Sequence, residues 1–116
     1  EEGIAQKVVD ENPEFSNMLA FEDLQKFVDS LEKPRRILMM IPAGAAIDAQ
    51  LDALIPILEK DDLVIDGGNS FYLDSDRRVA RLHESGMHFL PMGVSGGEEG
   101  ARREPSWFTA ALCVAL

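Results

Sequence analysis

Three short stretches hold the residues best suited to chemistry, and each joins bare backbone to small polar side chains. In "IDGGNS", residues 65–70, Asn69 offers both a donor and an acceptor, while Gly67 and Gly68 let a ligand approach the backbone closely. Asp66 reads as an acid that braces this loop through turn amides rather than as a reacting group. In "GVSGGEEG", residues 93–100, Ser95 with Gly96 and Gly97 presents a hydroxyl and consecutive backbone amides, a set suited to an anion. No His–Asp pair stands near Ser95 to make it a nucleophile. Glu98 and Glu99 are adjacent, so they point apart, and both read as structural. The third stretch is "PAGAA" at 42–46. Tight turns alone also explain the glycine enrichment of all three.

The remaining candidates carry less. His83 and His88 are separated by Gly86, which is expected to end the helix carrying the first, so they do not form a metal pair. Cys113 is the only cysteine, which excludes an internal disulfide and a thiolate cluster. Set in "AALCVAL", it reads as a small buried hydrophobe.

The elements that must position these stretches follow from periodicity. Residues 1–15 open as a polar helix-like segment with a turn at Asn12 and Pro13. Residues 21–32 place Phe21, Leu24, Phe27, Val28 and Leu31 at helical spacing, with Glu22 and Asp23 in the first turn and Pro34 as the stop. "RILMMI" at 36–41 is an apolar run expected as a strand buried on both faces. Ile47, Leu51, Leu54, Ile55 and Leu58 mark a helix that Pro56 bends or splits. "DDLVID" at 61–66 is a second strand, and a helix capped by Asp74 and Ser75 runs to Gly86. "MHFLPM" at 87–92 is a third strand, followed by a loop. Strands alternating with helices through short turns predict an α/β parallel sheet, whose ligands bind beyond the carboxyl ends of the strands. All three polar stretches fall at that end.

The 116 residues suffice for one small domain, 46% apolar and 28% charged. No apolar run reaches the ~20 residues of a membrane span, and no leader pattern is seen, which points to the cytoplasm. A net charge of −10 argues against nucleic-acid binding but not against a small anionic substrate. Basic residues cluster at 33–36, 77–81 and 102–103, and most of them are expected on solvated faces.

Taken together, "LEKPRRILMMIPAG", "LVIDGGNSFYLDSDRR" and "GVSGGEEGARREPS" resemble the N-terminal coenzyme domain of 6-phosphogluconate dehydrogenase, over residues 1–106. "GVSGG" alone is shared with the wider β-hydroxyacid dehydrogenases; "IDGGNS" joined to "GVSGGEEGA" is more specific. The resemblance implies a partial Rossmann-like, doubly wound parallel sheet with flanking helices, its first strand and glycine fingerprint lying upstream of Glu1. It implies an enzyme that oxidises 6-phosphogluconate with NADP (or NAD) and decarboxylates the product to ribulose 5-phosphate. Ile41, Pro42, Ala43 and Asn69 would contact the coenzyme, and Asn69, Ser95, Gly96 and Gly97 the substrate. Full-length members are homodimers.

The departures are specific. The family's lysine base and glutamate acid lie beyond this chain, so the chain alone is expected to be inactive. Many members have Val-Lys-Ala-Gly where Ile41, Pro42, Ala43 and Gly44 stand, and the apolar tail at 107–116 is atypical. With the first strand absent, a marginal or molten fold is expected in isolation. Two other readings stay open: a non-catalytic paralogue that binds a sugar phosphate or a protein, and another β-hydroxyacid dehydrogenase.

Overall fold

The computed structural model describes residues 3–95, 99, 100, 103 and 106–109, and the chain divides into two compact units, Glu1–Glu32 and Lys33–Leu116. In the first, α1 spans Ile4–Glu11 and ends at Asn12, whose side-chain amide donates to the Val8 carbonyl at 2.7 Å. The helix expected over 21–32 is shorter: α2 is Leu24–Asp29. Asp23 is its N-cap, accepting the Lys26 N–H at 2.8 Å, and the Ser30 hydroxyl donates to the Phe27 carbonyl at the other end. These two side chains trim the helix, yet the apolar stripe survives. Val28 is buried, and Phe21, Leu24, Phe27 and Leu31 are half-buried.

The second unit runs β1 (Arg36–Met39), α3 (Ala45–Leu54), β2 (Leu63–Asp66), α4 (Tyr72–Glu84), β3 (His88–Ser95) and β4 (Ser106–Thr109). The sheet order is β1-β2-β3-β4. The first three strands are parallel, with Leu38 opposite Ile65 and Ile65 opposite Leu90. β4 pairs antiparallel to β3, Ser95 opposite Ser106 and Met92 opposite Thr109. The α/β parallel arrangement is therefore as expected, with two differences at its end. β3 runs past residue 92 to Ser95, because β4 supplies the hydrogen-bonding partner that a free loop would lack. β4 itself spans the expected boundary at residue 106.

Successive strands step in one direction, and right-handed crossovers then place α3 and α4 on the same face. Ion pairs between those helices agree: Asp48 with Arg77 and Arg78, and Asp52 with Arg81. The core lies on that face, from Ile37, Met39, Val64 and Phe89 of the strands and Ile47, Leu51, Leu54 and Leu82 of the helices. Burial along β1 accordingly alternates. Leu38 is 45% exposed and Met40 60%, so the expectation of a strand buried on both faces is corrected.

Local chemistry sets the helix ends. α3 stops at Leu54, because Pro56 has no N–H with which to continue the ladder, and Leu58 beyond it is still buried. Asp74 and Ser75 do not cap α4. The helix starts earlier, with Phe71 at the N-cap and no side-chain cap, because the preceding loop is already closed by Asp66. Ser75 is buried and donates to the Phe71 carbonyl, while Asp74 lies in the first turn, 3.5 Å from Arg77. At the other end Gly86 (φ +75°) donates to the His83 carbonyl and Met87 to that of Leu82, a Schellman closure that the positive φ reserves for glycine. Among the described residues no helix is long and apolar enough to cross a membrane.

Candidate functional site at the carboxyl edge of the sheet

The strands β1 and β2 deliver their loops side by side. The loop after β2 is closed by its own acid: the Asp66 carboxylate accepts the Gly68 N–H at 2.9 Å and the Ser70 hydroxyl at 2.5 Å. Asp66 is 1% exposed. It therefore braces the loop as expected and holds Asn69 outward, exposed at the tip.

Beyond any ligand's approach, the two glycines admit a neighbouring strand end. A Cβ at Gly67 would lie 2.5 Å from the Met40 sulfur and 3.1 Å from the Met39 carbonyl oxygen. At Gly68 it would meet the Asp66 carboxylate at 3.0 Å and the Ile41 carbonyl at 3.2 Å. The space a side chain would need is filled by the neighbouring strand end. Glycine here lets two loops touch each other, so that Ile41 and Asn69 are carried on one contiguous rim.

Pro42 and Ala43 are exposed and Ile41 half-buried on the segment after β1. Gly44 ends it with φ +90° and ψ −134° as the N-cap of α3, a conformation open to glycine rather than to L side chains. Its carbonyl accepts the Ile47 N–H at 3.1 Å. Ser95 is exposed at the end of β3. Asp66 pairs with Pro91, so Ser95 stands four residues further along, roughly 13 Å beyond the end of β2. Gly96, Gly97, Glu98 and Cys113 lie outside the described residues. Glu99 is described and pairs with Arg103 at 2.7 Å.

Two buried arginines escaped the sequence reading, which placed most basic residues in solvent. Arg35, 4% exposed, pairs at 2.9 Å with buried Asp62 at the opposite, amino end of the strands. Burial pushes the Asp62 pKa up, but N–H bonds from Glu59 and Arg35 and the Arg35 guanidinium outweigh it and hold the group below its ordinary value. Arg78, 1% exposed, reaches from α4 under the two loops. Its Nε and Nη2 grip the Asp48 carboxylate at 2.9 and 3.0 Å, and Nη2 also donates to the Gly44 carbonyl at 3.0 Å. The hydrogen bonding of Arg78 to Asp48, opposed by partial burial and helped by Arg77, lowers the Asp48 pKa to about 2. The available signal was the match of Asp48 and Asp52, four apart on α3, to Arg77, Arg78 and Arg81 on α4. Periodicity alone cannot say which of two adjacent arginines points inward.

His83 lies in α4 and His88 in β3, and no group of three or more His, Cys, Asp or Glu among the described residues could hold a metal.

A parallel sheet with its helices joined by short turns, and small polar loops gathered where its strands emerge, defines a Rossmann-like α/β domain. The profile of the family described as the NAD binding domain of 6-phosphogluconate dehydrogenase matches residues 2–111, and the chain belongs to that family. Curated relatives include the decarboxylating 6-phosphogluconate dehydrogenase of Chlamydia pneumoniae, 52% identical over 83% of this chain and 20% of its own length. The NADP(+)-dependent decarboxylating enzyme of Bacillus subtilis is 54% identical over 78% of this chain and 19% of its own. The chain thus spans about a fifth of the length of the curated relatives it matches. Among solved structures, the Plasmodium falciparum 6-phosphogluconate dehydrogenase superposes with a TM-score of 0.79 at 33% identity, over 90% of this chain and 23% of that one. The Mycobacterium tuberculosis 3-hydroxyisobutyrate dehydrogenase superposes with a TM-score of 0.61 at 25% identity, over 70% of this chain and 27% of that one.

Proposed function

We propose that the chain is part of the coenzyme domain of an NADP-dependent, decarboxylating 6-phosphogluconate dehydrogenase, with NAD as the alternative coenzyme. The observation that carries this reading is the single rim formed by the segment 41–44 and the loop 66–70 at the carboxyl edge, the place where such sheets bind ligands. The residues present fit the ligands. Pro42 and Ala43 offer an exposed uncharged surface to the coenzyme, and the exposed Asn69 offers a donor and an acceptor to either ligand. Ser95, with Gly96 and Gly97, supplies the hydroxyl and amides for the polyhydroxy acid. The Bacillus relative is named NADP(+)-dependent, and the Plasmodium enzyme has been solved with NADP+ and with 6-phosphogluconate. When bound, the dinucleotide accepts the hydride that leaves the substrate.

This chain's own part is to hold and orient. Asp66 closes the loop through Gly68 and Ser70, and Asp48 holds Arg77 and Arg78 beneath the rim. Calorimetric titration of the 116-residue chain tests the reading. NADP+ binding that weakens in Asn69→Ala, with no NADPH formed on adding 6-phosphogluconate, is the expected result. Wild-type affinity in Asn69→Ala, or turnover by the chain alone, would overturn it.

A further inference from the structure

We propose that Arg78 is a positioning residue for the ligand-facing rim, setting the spacing between the segment 41–44 and Asn69. The inference rests on the reading above that this rim meets the coenzyme. A guanidinium that is 1% exposed is an expensive way to fill space, since removing it from water costs several kcal/mol unless its donors are met. Apolar side chains fill the neighbouring positions Ile47, Leu51 and Leu82. What an apolar residue cannot do is donate to the end of the segment 41–44 while holding a positive charge beside the carboxylate of the second loop. The planar fork takes the Gly44 carbonyl, which ends the segment 41–44, and the Asp48 carboxylate in the first turn of α3. Its third nitrogen, Nη1, lies 4.0 Å from the Asp66 carboxylate, and that same carboxylate closes the loop carrying Asn69.

Nη1 is buried and has no hydrogen-bond partner among the described residues. A closure of roughly 1 Å would bring it into bonding range of Asp66. One rigid group therefore stands between the acceptors that fix the two halves of the rim. Where Gly67 and Gly68 set those halves in contact, Arg78 sets how far one slides past the other. Lysine keeps the charge but not the fork, so Arg78→Lys separates a geometric role from an electrostatic one.

The test is two-dimensional 1H–15N NMR on the 116-residue chain, with Val64 and Leu82 amides reporting the core and Gly44 and Asn69 amides reporting the rim. Without ligand, Arg78→Lys is expected to move Gly44 and Asn69 together while Val64 and Leu82 keep their positions. With NADP+ added, its dissociation constant rises about tenfold, the scale of one lost hydrogen bond. Asn69→Ala also weakens NADP+ binding but leaves Gly44 unmoved. A folded Arg78→Lys chain with unmoved rim amides and wild-type affinity overturns the proposal. If the wild type binds no NADP+, the functional reading fails, and the ligand-free amides still decide for or against Arg78. If Arg78→Lys does not fold, Ser70→Ala decides. Freed from the Ser70 hydroxyl, Asp66 turns toward Nη1, and the Gly44 amide, on the other side of the guanidinium, must shift. An unmoved Gly44 in a folded Ser70→Ala chain sinks the idea.

Discussion

Replacing Asp48 by asparagine gives the most direct measure of what holds the rim's underside together. Asn preserves the shape of the side chain but gives up the charge, and it turns an N–H2 toward a guanidinium that has only donors. The Arg78 hydrogen bond, partly offset by burial and assisted by Arg77, lowers the Asp48 pKa from its ordinary 3.8 to about 2. At 1.36 kcal/mol per tenfold change in proton affinity, that displacement amounts to about 2 kcal/mol. The value falls between a solvent-exposed pair, about 0–1 kcal/mol, and a buried pair broken from one side, about 3–5 kcal/mol. A site with Arg78 buried and Asp48 29% exposed belongs between those limits.

Urea denaturation of the 116-residue chain reads the effect. With a slope near 2 kcal/mol/M, Asp48→Asn lowers the midpoint by about 1 M at pH 7. The pH dependence carries the sharper test. A carboxyl whose folded pKa is depressed stabilises fully above its unfolded value and loses that contribution as pH falls through the folded one. The gap between wild type and Asp48→Asn therefore holds from pH 7 down to about 4 and closes towards pH 2. Taking the difference between the two chains removes the parallel contribution of Asp62. If the variant is already unfolded at pH 7, titration with trimethylamine N-oxide reads the same gap in the folding direction. A gap under about 0.5 kcal/mol at pH 7, or one that stays constant to pH 2, would show that the carboxylate and the guanidinium are not coupled as described.

Gly67→Ala should lower stability by about 1 kcal/mol, since its Cβ would lie 3.1 Å from the Met39 carbonyl oxygen, while the exposed Met40 side chain can swing aside; a melting temperature equal to wild type would refute the close approach of the two loops. Gly44→Ala should cost about 1–3 kcal/mol for a different reason: nothing lies within 4 Å of its Cβ, but φ is +90°. D-alanine introduced at 44 by peptide ligation should then recover the loss, whereas at 67 it should not recover it by relief of φ, as Gly67 shows no positive φ.

The order of strands and helices followed from hydrophobic period, and Asp66 was identified as a brace because an acid before two glycines and a hydroxyl has turn amides within reach. Asp74 and Ser75 were misjudged as caps, since capping residues are common inside first turns as well, and the true start depended on where the preceding loop closed. The second face of β1 was expected to be buried because "RILMMI" is apolar throughout, yet an apolar residue does not choose its cover.

The alternation of elements and the small polar residues at strand ends are legible in local pattern, because both rest on interactions between near neighbours. What the glycines and arginines do follows from contacts between segments far apart in the chain. Gly67 and Gly68 are shaped by the approach of a strand end nearly thirty residues earlier in the chain, about 27 positions away. Arg77 and Arg78 are adjacent and chemically identical, and the packing of α4 on α3 buries Arg78 and leaves Arg77 in solvent. Burial is a property of what comes to lie opposite a residue, and no local pattern contains it.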